Sequence, residues 1–146
     1  MSGRLRIRLE NDPDGSGELF VEFSSHGFSG RSKAWFDLAQ LEKQVERFSD
    51  FPLSLDCLPC IRGGYWNEDA TQIQQEQVYL SAHPQGLTGN VVLEVRLATP
   101  LGNEMNPDLH CSASAELKAT YQQLAEFAKN LGSLIHGEID EIEFFE

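Results

Sequence analysis

The sequence predicts an α+β fold, a two-layer sandwich in which a mainly antiparallel sheet of about six or seven strands carries two helices on one face. Three observations lead there. Apolar residues recur at every second position in several short runs separated by turn clusters. Two longer segments carry apolar residues at helical spacing behind a side-chain cap. These two segments also align with each other at a constant offset, which reads as a strand–strand–strand–helix unit used twice. With 146 residues the chain fits one domain spanning 1–146, long enough to bury roughly 70% of its extended surface.

In the first half, Arg4, Arg6 and Arg8 alternate with Leu5, Ile7 and Leu9, the pattern of a half-buried strand. The cluster Asn11-Asp12-Pro13-Asp14-Gly15-Ser16-Gly17 is a turn, and 18–23 reads as a second strand with Leu19, Val21 and Phe23 on one face. A third, short strand over 31–36 leads into a helix. Asp37 is placed to accept the free N–H groups of its first turn, Gln40 completes a capping-box pattern, and Phe36 with Leu41 forms a staple. Leu38, Leu41, Val45 and Phe48 supply the apolar face until Asp50-Phe51-Pro52 stops the run. No regular element is predicted over 52–74.

The second half begins with a strand over 77–82. Pro84-Gln85-Gly86 and Gly89-Asn90 turn the chain into the clearest strand, 91–97. A loop is expected over 100–107, then period-two alternation over 109–118. Thr120, with Gln123 three residues on, caps a second helix whose stripe is Leu124, Phe127, Ala128, Leu131, Leu134 and Ile135, closed by Gly137. A last strand over 138–145 points Ile142 and Phe144 to one side. Laying Asp37 on Thr120 superposes Leu41 on Leu124, Val45 on Ala128, Phe48 on Leu131 and Phe51 on Leu134. The repeated units are thus 4–51 and 76–136.

Composition narrows the function classes. Eleven Lys and Arg against 23 Asp and Glu give a formal charge of −12, which repels a phosphate backbone and sets nucleic acid aside as a partner. Such a surface suits a basic protein, a hard cation, or solubility alone. No stretch approaches the roughly 20 apolar residues of a membrane span, and the N-terminal alternation lacks the apolar core of a signal peptide, so neither membrane nor export is expected. An odd count of three cysteines fits a reducing, cytoplasmic compartment better than a disulfide framework.

Chemistry-bearing motifs are few. Cys57 and Cys60 have the spacing of a shared metal or a redox pair, but a closed zinc site needs four ligands, and His110 and Cys111 would face opposite sides of a strand. Ordinary semi-buried thiols are the favoured reading of the pair. The histidines His26, His83, His110 and His136 share no ligand spacing, and His136 sits where a cation favours a helix C-terminus. There is no nucleophile elbow, phosphate loop or His-Glu-x-x-His, so no catalytic residue and no cofactor is assigned. Tyr65 and Trp66, after Gly63-Gly64 and before Asn67-Glu68-Asp69, either present aromatics to a partner, with Glu68 and Asp69 beside them, or fold back over an end of the core. The acidic run 138–146 guards an edge strand against aggregation.

The combination Gly27-Phe28-Ser29-Gly30, Ala34-Trp35-Phe36-Asp37, Gly63-Gly64-Tyr65-Trp66, the strands 77–84 and 91–99, and Thr120-Tyr121-Gln122-Gln123-Leu124-Ala125-Glu126-Phe127 resembles a family of small, uncharacterised bacterial proteins over most of the chain. The general shape of that family is similar to some immunity proteins that neutralise bacterial toxins. The resemblance implies a bacterial origin and brings no activity with it. Three expectations follow: a non-enzymatic protein-binding module with an acidic face for a basic partner, a metal or redox protein using Cys57 and Cys60, or a structural homo-oligomer.

Overall fold

The computed structural model describes residues 2–66, 68–69, 71–99 and 110–146. The loop expected over 100–107, Leu109 and Asn67 lie outside the described residues. Eight strands and two helices follow one another as β1 (Arg4–Asn11), β2 (Ser16–Ser25), β3 (Phe28–Asp37), α1 (Leu38–Glu46), β4 (Cys60–Trp66), β5 (Ile73–Gln85), β6 (Asn90–Ala98), β7 (Ser112–Thr120), α2 (Tyr121–Ile135) and β8 (Glu141–Phe145). The class is α+β and every strand pairing is antiparallel.

The single sheet of six or seven strands is corrected by the structure. There are two four-stranded sheets, ordered β3-β2-β1-β8 and β4-β5-β6-β7. Advancing each strand by four places turns the first order into the second, with β8 passing to β4. Each half therefore lends its last strand to the other half's sheet. The register repeats as well: Leu5 opposes Phe144 and Ile7 opposes Ile142 in one sheet, where Val78 opposes Gly63 and Leu80 opposes Ile61 in the other.

The sheets meet at β3, which crosses the strands of the second sheet in order. A β-carbon on Gly30 would stand 2.9 Å from Ala113 of β7. Ser32 Oγ donates to Ala98 O of β6 at 2.5 Å, and Gln77 Nε2 of β5 donates to Lys33 O at 2.6 Å. Ala34 and Phe36 close over Gly63 of β4. The helix α1 contacts β3 of the first sheet and β4 of the second, and α2 contacts β1 and β8 of the first and β7 of the second. Both helices thus sit between sheets rather than on one face of a single sheet, because a second sheet already takes that face.

Local chemistry set both helices. Asp37 accepts from Gln40 N at 3.1 Å, half of the expected box. Thr120 and Gln123 form the complete box, with bonds of 2.9 and 3.1 Å. Gly137 takes the left-handed conformation (φ 74°) that ends α2. The helix alignment holds through Leu41/Leu124, Val45/Ala128 and Phe48/Leu131, all buried. It fails at Phe51, which is exposed where Leu134 is buried, since α1 and the 3₁₀ turn Arg47–Ser49 end before reaching it.

The same alignment places Gln44 where α2 has Phe127. Gln44 Oε1 is buried and has no hydrogen-bond partner among the described residues, a desolvation cost without compensation. Gln44→Leu is expected to raise stability by about 1 kcal/mol, read as a higher urea midpoint at unchanged slope; an unchanged or lower midpoint would show that the oxygen finds a partner in solution.

Candidate functional site

The strand β4 emerges from the region where no element was expected. Its first residues are core: Ile61 is buried, and Gly63 lies under Phe36. Past the crossing with β3 the strand bulges between Gly63 and Gly64 and again between Tyr65 and Trp66, and bulges re-aim side chains. Tyr65 is 54% and Trp66 40% exposed, so these rings do not close an end of the core. Glu68 and Asp69 follow in an exposed turn. All four residues are exposed at the β4–β5 end of the second sheet.

Cys57 and Cys60 are placed differently. Cys57 is exposed in the loop before β4, where Arg47 Nη2 donates to its carbonyl at 2.5 Å and to its Sγ at 3.0 Å. Cys60 opens β4 on the outer face of the second sheet, opposite Ser81. Burial pushes the Cys60 thiol up, opposed by the positive charge of Arg62; a raised thiol is the reverse of what a metal-ligating or attacking thiolate requires. Among the described residues no group of three or more His, Cys, Asp and Glu side chains is close enough to hold a metal ion. His110 and Cys111 precede β7 rather than belonging to it, so the opposite-faces argument does not apply to them.

Two of the remaining histidines have structural neighbours. His136, the C-cap of α2, lies 2.8 Å from Glu42 of α1 and ties the helices together. His26, in a turn with φ 51°, is 3.6 Å from Glu146. Glu146 is itself a clasp between sheets: one carboxylate oxygen accepts from Gly3 N at 3.0 Å and the other from Lys118 N of β7 at 2.9 Å. These two backbone donors hold its carboxyl below the usual glutamate range. A depressed carboxylate contributes stability above its unfolded pKa and loses it as pH falls through the folded one. Glu146→Ala is therefore expected to cost about 1–2 kcal/mol at neutral pH. That deficit should begin to shrink as pH falls below 4.5, where the unfolded carboxyl protonates, and be lost once the folded carboxyl, held lower, protonates as well. Urea titrations of both proteins at the two pH values check it; a deficit independent of pH would mean the clasp is not ionic.

The outer face of the first sheet is the part that residue-by-residue reading missed. The pairings set Arg31, Glu22, Arg6 and Glu143 in one cross-strand row and Lys33, Phe20, Arg8 and Glu141 in the next. Five of the eleven cationic side chains, Arg4, Arg6, Arg8, Arg31 and Lys33, share this face with Glu10, Glu18, Glu22, Glu141 and Glu143, and Asp37 ends β3 on the same side, so nearly all of the −12 falls elsewhere. Arg8 stacks over the Phe20 ring at 4.2 Å. Trp35, also on this side of β3, is 53% exposed. The β1 alternation gave half of the signal; which strands would flank it depended on long-range pairing.

No protein-family model matches the chain, and a search of curated proteins returns no match. No described helix is long and apolar enough to cross a membrane.

Proposed function

We propose that the protein is a non-enzymatic binding module, similar in action to immunity proteins and small inhibitors, that masks a basic partner protein. The observation that carries this reading is the exposure of Tyr65 and Trp66 on a bulged strand end beside Glu68 and Asp69. Tyrosine and tryptophan dominate interface hot spots, since they contribute large apolar area at little conformational cost, and adjoining carboxylates select a cationic surface and speed its approach. The concentration of the net negative charge away from the outer face of the first sheet supports the same choice of partner.

The test is capture from the source lysate by the immobilised chain, at low and high salt, with mass spectrometry of what is retained. A basic protein held at low salt and released at high salt is the expected result. With that protein purified, Trp66→Ala should weaken binding about thirtyfold, the scale of a hot-spot residue, and Glu68→Lys with Asp69→Lys should slow association. Capture that is indifferent to all three substitutions, or no capture, overturns the reading.

A further inference from the structure

We propose a second binding surface, of opposite chemistry, on the outer face of the first sheet: a groove along β2 that takes an extended acidic segment of a partner protein. Two adjoining depressions, of about 520 and 320 Å³, run along this strand. The first is lined by Arg6, Arg8, Arg31 and Lys33 around Phe20, and the second adds Arg4. Glu22 is the one carboxylate in either lining. In a chain of charge −12, this strip is locally cationic.

The register makes it a groove. Arg6 and Arg31 both oppose Glu22, and Arg8 and Lys33 both oppose Phe20, so long cationic side chains stand on either side of β2, on strands about 10 Å apart. From the row of Arg4, Ser24 and Ser29 to that of Arg8, Phe20 and Lys33 the floor extends about 13 Å, room for four or five extended residues. Alternate residues of an extended segment repeat every ~7 Å. Arg6 and Arg8 on β1 have that repeat, as do Arg31 and Lys33 on β3, so carboxylates at every second position meet cations along the whole length.

The walls differ in how far they are already satisfied. The β1 arginines are held by glutamates: Arg4 by Glu143 at 2.5 Å, Arg6 by Glu141 and by Glu22 at 3.1 Å, Arg8 by Glu10 at 2.8 Å. On β3, Lys33 has only Glu18 at 3.6 Å, and Arg31 makes no ion pair among the described residues. The β3 wall therefore has charge to offer a ligand. The depressions are open, so a small anion would stay largely in water, whereas pocket ligands bury most of their surface. A long polyanion such as nucleic acid would meet the acidic remainder of the surface. A short acidic peptide meets neither objection.

Fluorescence anisotropy with a labelled eight-residue peptide of alternating Glu and Ser, in low salt, tests this. The wild-type chain is expected to bind it, with the Gln-Ser analogue at least tenfold weaker. Arg31→Glu with Lys33→Glu, both exposed and outside the core, should weaken binding at least tenfold with an unchanged circular dichroism spectrum, and Trp66→Ala should leave it intact. The proposal is overturned by equal binding to the double variant, by no binding, or by pyrophosphate or a single-stranded oligonucleotide binding more tightly through the same residues. A wild-type dimer that the double variant dissociates would also overturn it, the occupant then being a second copy of the chain.

Discussion

Phe48→Ala is expected to cost about 3–5 kcal/mol, the range for removing a buried aromatic ring. Phe48 is fully buried beneath the 3₁₀ turn, edge-on to Phe127 with ring centroids 6.2 Å apart, and Phe127 in turn meets Phe144 of β8 at 5.9 Å. This ladder of rings joins the end of the first helix to the second helix and to the strand that closes the first sheet. A cavity at Phe48 has little chance to collapse, because its neighbours are anchored in three elements. Against a total stability of about 5–15 kcal/mol, the variant should be marginal, and its urea midpoint is the measurement. A cost below about 2 kcal/mol would show that the site relaxes and that the ladder does not act as one unit.

The second large effect belongs to Gly63. A β-carbon there would fall onto the Phe36 ring, 2.8 Å from Cε2, and 3.0 Å from Ala34 Cβ. Gly63→Val is expected to cost about 2–3 kcal/mol through overpacking. The repeat supplies a sharper form of the test: Gly63 stands where the other half has Phe144, and Phe36 where it has Ala119. The halves thus place bulk on opposite partners. Phe36→Ala alone should be destabilising by about 3–5 kcal/mol, while adding Gly63→Leu should restore at least ~1 kcal/mol instead of subtracting more. Additive losses would mean that the two positions do not share one space.

Much of this architecture was legible in the sequence, and the part that was not has a physical cause. Caps at Asp37 and Thr120, the apolar stripes behind them and the period-two runs of β1, β2 and β6 are local signals, and each produced its element. The strand β4 left no such signal, because Gly63 and Gly64 occupy its interior; their small size answers to Phe36 and to the backbone at Gln75, contacts made only after folding. Missing β4 also hid the second sheet, since a unit of three strands and a helix looks complete without a fourth. For the candidate sites, Tyr65, Trp66, Glu68 and Asp69 were visible as composition, and their exposure came from the bulges. Arg31 and Lys33 carry no local signal, for their meaning lies in the strands opposite.

The exchange of last strands between halves governs how the chain acquires its structure. The pairing of β1 with β8 joins Arg4 to Phe145, so one flank of the first sheet stays open until nearly all the intervening chain has been made. Closing so long a loop before its contacts reward it slows folding, and an unpaired strand invites the wrong neighbour in the interval. On the ribosome, Arg4, Arg6 and Arg8 repel one another along that waiting edge before any glutamate of β8 arrives. The charges that line the groove in the finished protein thus also disfavour a wrong strand on that open edge.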